Sequence, residues 1–154
     1  MAEIREFWDT FVAGAVQDWR DNPRDVRRAT IALIELDNVV ERLIQHQNPS
    51  ISRGDISRER DRLGRLNQQL EIARDVHDTH KHGRLTRQTA KIRGGQQLRT
   101  TEAVGISSAP IGDSSISGGL SDLWIERDAD RHLASPVIEL CLTYLESELN
   151  RLGL

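Results

Sequence analysis

The sequence contains a single cysteine, Cys141, in 154 residues. One thiol excludes an intramolecular disulfide and a zinc site made of several cysteines, and its apolar helical surroundings predict that it is buried. No apolar run approaches the roughly 18 residues that a membrane-spanning helix needs. The first residues also lack the basic-then-apolar order of a signal peptide. The sequence therefore predicts a cytoplasmic protein with no membrane partner.

Aromatic residues are also few, with three Trp, two Phe and one Tyr. Leu, Ile, Val and Ala must therefore build most of the core, and the length predicts one domain. The formal net charge is −3, so no overall basic character indicates a nucleic-acid-binding protein. Residues 81–99 nevertheless carry six basic residues and no acidic one, which could form a solvated sheet face or a local anion-binding stripe.

Apolar residues recur every three or four positions in four stretches, which is the period of an amphipathic helix. These stretches predict helices over residues 3–20, 23–46, 55–81 and 136–152. Asn22 and Ser135 each precede a proline and are predicted to cap the second and the last helix, because their side chains can accept from open backbone amides. The second helix is apolar on more than one side, which predicts that it is the central one.

The pattern changes to alternating, Thr-rich segments over about residues 84–134, which is typical of β-strands. Residues 85–92 and 97–104 flank a Gly-Gly pair and predict one hairpin. Residues 123–126 and 131–133 flank an Asp-Ala-Asp turn and predict a second hairpin.

Residues 105–119 are rich in Gly and Ser and predict a long loop or an irregular arm. The fold class predicted from the whole pattern is mainly α with a β insertion. We expect a four-helix bundle in a single domain, residues 1–154, with a small antiparallel sheet between helices 3 and 4.

Three of the five histidines fall within six residues at the predicted end of the third helix. Helical spacing predicts that His77 and His80 continue the core-facing stripe of that helix. Asp37 lies in an apolar run of the second helix, and a buried carboxylate needs a partner, which a histidine of the third helix could supply. The cluster could hold a metal ion through His77 and His80, transfer protons, bind an anion, or be a polar plug between substructures.

Arg74 lies four residues before Asp78 and six before His80. The spacing of four predicts an exposed ion pair with Asp78, which stabilises a helix by only about 0.3–0.5 kcal/mol. Arg74-Asp75 followed by His80 also resembles the motif of HEPN-type helical proteins, many of which are metal-independent RNases of defence and toxin systems. The resemblance implies a dimer in which Arg74 and His80 are catalytic, with His80 as general acid or base and Arg74 stabilising charge on an RNA phosphate.

Arg74-Asp75 and Lys81-His82, placed before a predicted strand pair, are similar to a segment of small bacterial helical proteins that have no known activity. This second resemblance implies a shared helical scaffold. The sequence contains no phosphate-binding loop, dinucleotide fingerprint or nucleophile elbow, and we expect no cofactor. The candidate binding residues besides Arg74 and His80 are Asp37, Asp75, His77, Lys81 and His82.

The leading prediction is a protein without catalytic activity that acts through self-association, as a homodimer, or through partner binding. The apolar stripes of the first and last helices, together with the Trp residues, could supply the interface. The first alternative is a HEPN-like RNase with RNA as its partner. The second is a histidine metal-binding protein.

Overall fold

The computed structural model describes residues 2–82, 97–100, 123–127 and 130–154. Within these ranges the chain is mainly α-helical with a small antiparallel sheet, which confirms the predicted fold class. The helical elements are α1 (Ala2–Phe7), a π-helical turn (Trp8–Val12), α2 (Ala13–Asp21), α3 (Val26–Gln47), α4 (Arg53–Leu66), α5 (Gln68–His82) and α6 (Ala134–Arg151). The strands are β1 (Leu98–Thr100), β2 (Leu123–Arg127) and β3 (Asp130–Leu133).

The predicted first helix is present as α1, the π-helical turn and α2, which follow one another without a break because the joining residues keep helical backbone angles. Its apolar stripe is buried in the core of the same chain. The stripe consists of Ile4, Trp8, Val12, Val16 and Trp19. Trp8 and Trp19 are therefore not available as an intermolecular interface, contrary to the expectation from the sequence.

The second predicted helix begins later than expected, because Asp25 caps it rather than Asn22. The Asp25 carboxylate accepts hydrogen bonds from the backbone amides of Arg27 and Arg28, at 2.9 and 3.1 Å. The resulting α3 is the central helix, as predicted, since α1, α2, α4, α5 and α6 all contact it. Its buried residues are Ala29, Ala32, Leu33, Leu36, Asp37, Val39, Val40, Leu43 and Ile44.

The prediction of one long third helix over residues 55–81 is wrong, and the four-helix count with it. The chain forms α4 and α5 instead, separated by Asn67, whose backbone leaves the helical region at φ −140°. The Asn67 side chain accepts hydrogen bonds from the amides of Gln69 and Leu70, at 3.1 and 3.3 Å, and thereby caps α5. The two helices pack against each other as a hairpin.

Gly64 allows this hairpin to close. A Cβ at position 64 would lie 3.3 Å from the Cβ and 3.4 Å from the Cα of Glu71, on the first turns of α5. The first distance is shorter than ordinary van der Waals contact and the second is at its lower limit, and the Cα belongs to backbone that other bonds hold. The absence of a side chain at position 64 is therefore what lets α4 and α5 approach each other near Asn67.

We expect Gly64→Val to lower the free energy of unfolding by about 1–3 kcal/mol, because the branched side chain forces the two helices apart. Gly14→Ala in α2 is the matched control. A Cβ at position 14 meets nothing within 4 Å, so helix propensity alone should stabilise that variant by about 0.5–1 kcal/mol. Urea unfolding followed by circular dichroism measures both. Equal effects of the same sign would contradict the close approach.

The sheet has the order β1-β2-β3, and both pairs are antiparallel. The second predicted hairpin is confirmed, with Trp124 opposite Leu133 and Arg127 opposite Asp130. The first strand and turn of the other predicted hairpin, residues 85–96, and the predicted arm over 105–119 lie outside the described residues. The second strand predicted for that hairpin, residues 97–104, is described in part as β1, which pairs with β2.

Strand β3 leads directly into α6, and this corrects the predicted start of the last helix. Leu133 occupies the cap position without a side-chain hydrogen bond, so Ser135 lies inside the first turn and does not cap it. The helix ends as predicted at Gly153, whose φ of +71° is the left-handed conformation that glycine adopts without strain. None of the described helices is long and apolar enough to cross a membrane.

Candidate functional site

Asp37 is a buried acid that joins three helices. It lies on α3 with 2% of its surface exposed, and its carboxylate accepts a hydrogen bond from Nδ1 of His77 on α5, at 2.7 Å. A guanidinium nitrogen of Arg60 on α4 donates to the same carboxylate oxygen. The contact that the sequence predicted between Asp37 and a histidine is therefore present, and Arg60 is a second partner that the sequence did not indicate.

Arg60 extends this contact to further acids. Its guanidinium lies 3.9 Å from the carboxylate of Glu41 and 4.0 Å from that of Asp78, so it faces acids of both α3 and α5. Only 12% of its side chain is exposed, which makes its charge expensive to leave without an acidic partner. Arg60 therefore holds the middle of α4 against α3 and α5.

Arg74 is buried between α4 and α5, with 7% of its side chain exposed. It donates to a carboxylate oxygen of Asp61 at 2.5 Å, to the hydroxyl of Ser57 at 3.0 Å and to the Ser57 backbone carbonyl at 3.3 Å. Asp78 lies 3.6 Å away, so the predicted ion pair exists. The prediction that this pair is exposed is wrong, because the α4–α5 hairpin covers Arg74.

The other histidines of the cluster are placed differently. His80, Lys81 and His82 are exposed in the last turn of α5, whereas Thr79 is buried. Successive helical residues point about 100° apart, so a buried Thr79 turns His80 away from the core. The prediction that His80 faces the core is therefore wrong. No hydrogen bond among the described residues joins Arg74 to His80.

Asp75 is fully buried on α5. It borders a small cleft of about 50 Å³ between α4 and α5, which Arg60, Asp61 and Arg74 also line. This space is sufficient for one or two water molecules and too small for an organic ligand. Asp75, which the sequence analysis named as a candidate binding residue, thus lies in the interior of the hairpin.

We call Asp37, Arg60, Asp61, Arg74, His77 and Asp78 the polar network. Its arginines are fixed by carboxylates of the same chain, which is the arrangement of a structural network. His77 directs Nδ1 at Asp37, and 21% of its side chain is exposed. The described residues contain no group of three histidine, cysteine or acidic side chains placed to hold a metal ion.

Cys141 of α6 lies close to this network. It is fully buried, as predicted, and burial raises the pKa of its thiol to about 12, with the Asp37 carboxylate adding to the shift. The thiol therefore stays protonated and unreactive at neutral pH.

A much larger concavity lies on another side of the molecule, and we call it the groove. It has a volume of about 1030 Å³ and runs between α4 and α6 over the C-terminal half of α3. Its floor is apolar and is formed by Val40, Leu43, Ile44, Leu63 and Leu145. Leu66, at the end of α4, borders the groove with 74% of its surface exposed.

Arginines and acids line the rim of the groove. Arg58, Arg62 and Arg151 each pair with the acid three residues earlier in the same helix. Hydrogen bonds donated by Ser52 and then by Arg58 hold the pKa of Asp55 below its usual range. Hydrogen bonds donated by Arg62 do the same for the pKa of Glu59. Arg65 has no ion-pair partner among the described residues, so the charge left unmatched at this rim is positive.

The sequence did not predict the groove. Leu66 fits the apolar stripe of a single long third helix, where it would be buried. The turn at Asn67 carries α5 away and leaves Leu66 exposed beside the groove.

Comparisons with protein-family models, with curated proteins and with solved structures found no match to this chain.

Proposed function

We propose that the protein acts by binding a partner protein, and that the groove receives a helix of that partner. The observation that carries this proposal is Leu66, a large apolar side chain that is mostly exposed at the edge of a groove with an apolar floor and a charged rim. A helix that inserts an apolar ridge into such a groove removes both surfaces from water, which is the dominant favourable term in most protein associations.

The dimensions of the groove support a helix as the ligand. Its α4 wall runs from Asp55 to Leu66, which at the rise of an α-helix is roughly 17 Å. That length accommodates about three turns of a second helix lying alongside α4. Val40, Leu43, Ile44 and Leu145 of the floor are core residues, so apolar residues repeated at three and four positions would contact mainly Leu63 and Leu66.

The polar network supports the same function from the opposite side of α4. Arg60 and Arg74 fix α4 against α3 and α5 by buried contacts. A wall held in this way keeps the groove open in the absence of a ligand, and a preformed site binds without the cost of ordering it.

A labelled model peptide tests the proposal. The probe is a synthetic helix with leucines at positions i, i+3, i+4 and i+7, and fluorescence anisotropy gives its affinity. We expect Leu66→Asp to weaken binding at least tenfold, because it places a charge against the apolar ridge. Leu140→Asp is the matched control, since Leu140 is also exposed but lies on α6 outside the lining of the groove.

Equal affinities of the two variants, or no binding by the unsubstituted protein, would contradict the proposal. Light scattering on the unsubstituted protein and on Leu66→Asp addresses self-association. We expect a monomer in both cases. A dimer that Leu66→Asp dissociates would mean that a second copy of this chain occupies the groove, and a partner of another sequence would then be excluded as its principal ligand.

A further inference from the structure

We infer that the helix bound in the groove is acidic along the side that faces α4. This inference rests on the proposed function and adds the chemistry of the partner. Its basis is a row of arginines on the α4 wall, Arg58, Arg62 and Arg65, all of which line the groove. Their spacing of four and three residues places them on one face of the helix, along most of the length of the wall.

The ion pairs already present at the rim do not prevent an incoming carboxylate from binding. The pairs Asp55–Arg58 and Glu59–Arg62 join residues three apart on the surface of α4, and their arginines are more than half exposed. Pairs of this kind contribute little to stability, because water screens them and long side chains lose freedom when they form. Each arginine can therefore bind a second carboxylate without a large loss of existing contacts.

Arg65 favours an acidic over a basic residue of the partner helix. It is exposed at the same end of the wall as Leu66, and it has no acidic partner in the part of the chain that the structure describes. An acidic residue of the partner would meet an unpaired guanidinium there, next to the apolar contact with Leu66. A lysine or arginine at the same place would meet a like charge, which discriminates against helices with basic flanks.

The opposite wall adds a neutral polar group. Tyr144 of α6 lines the groove across from the arginines, and burial is the main cause that raises the pKa of its phenol. The hydroxyl therefore remains protonated at neutral pH and can donate a hydrogen bond. The α6 wall also carries Glu148 and Arg151, which pair with each other at 2.7 Å, so its charges balance and the unmatched charge of the groove is on the arginine row of α4.

Three peptides with the same leucine ridge test the inference. One carries glutamate, one glutamine and one lysine at the flanking positions that face α4. We expect the glutamate peptide to bind at least tenfold more tightly than the lysine peptide, with the glutamine peptide between them. The difference should shrink as the salt concentration rises, because the contacts are solvent-exposed ion pairs.

Charge reversal on α4 identifies the residues responsible. Arg65→Glu should weaken binding of the glutamate peptide several-fold and strengthen binding of the lysine peptide. Arg53→Glu is the matched control, because it makes the same change on the same helix at an exposed position outside the groove. It should leave the order of the three affinities unchanged.

The outcomes separate the two proposals. Equal binding of all three peptides would overturn the acidic preference and leave the apolar groove as a binding site. Tighter binding of the lysine peptide would also overturn it. Failure of every peptide to bind would overturn the proposed function itself.

Discussion

Replacing Asp37 with alanine should lower the free energy of unfolding by about 3–5 kcal/mol. The substitution removes the acceptor that His77 and Arg60 share, and it leaves the Arg60 guanidinium buried with only the more distant carboxylates of Glu41 and Asp78. An effect of this size is a large fraction of the stability of an ordinary domain. Urea unfolding monitored by tryptophan fluorescence measures it.

Glu41→Ala is the control for this prediction. Glu41 lies one turn further along α3 and approaches the same arginine, but at 3.9 Å and with 41% of its side chain exposed. We expect a change of less than about 0.5 kcal/mol, since exposed pairs of this kind contribute little. If the two variants were equally stable, Asp37 would not be the acid that holds α4 in place.

A double variant sharpens the result. Asp37→Ala combined with Arg60→Ala should destabilise the protein by less than the sum of the two single substitutions, because the pair is removed together and no charge is left buried alone. Strict additivity would show that the two side chains act independently, in contradiction to the contact between them.

Arg74→Ala should destabilise the protein by about 3 kcal/mol, whereas His80→Ala should change its stability by less than about 0.5 kcal/mol. The contrast follows from burial. Arg74 is enclosed between α4 and α5 with Ser57 and Asp61 as partners, and His80 is exposed in the last turn of α5. The same unfolding experiment measures both variants.

This pair of variants also tests the resemblance to HEPN-type RNases. If Arg74 and His80 were catalytic residues of one site, substitution of either would abolish the cleavage of labelled RNA in EDTA with little loss of stability. We expect no cleavage by the unsubstituted protein, because Arg74 is buried and donates hydrogen bonds to Asp61 and Ser57. EDTA-resistant cleavage that both substitutions remove, with stability unchanged, would favour the RNase.

Much of the fold could be predicted from the sequence because periodicity reports local structure. The positions of the helices and of the second hairpin follow from spacings within a few residues. The break at Asn67 was hidden because Leu63, Leu66 and Leu70 keep the spacing of three and four straight through it. The capping contacts of Asn67 are local, but an asparagine within a continuous apolar stripe does not by itself indicate a turn, and the close approach at Gly64 depends on how α5 packs.

The site could be predicted only in part for the same reason. A buried carboxylate in an apolar run needs a partner, and that reasoning led from Asp37 to a histidine of the predicted third helix, which the structure identifies as His77. The partners of Arg60 and Arg74 depend on tertiary packing, because Arg60 meets Asp37 of α3 across 23 positions and Arg74 meets Ser57 across 17 within the α4–α5 hairpin. A sequence read as one straight helix places these groups far apart.

The composition of α4 has a consequence for how the molecule moves. Ile56 is the only large apolar side chain of α4 that is fully buried, whereas α3 buries eight apolar residues. Attachment of α4 therefore depends on a few charged contacts, and segments of this kind open locally at a lower free energy than the rest of a protein. Loss of the Arg60 contacts would release α4 while the core around α3 stays intact, so the ion pairs that keep the groove preformed also determine how easily this helix opens.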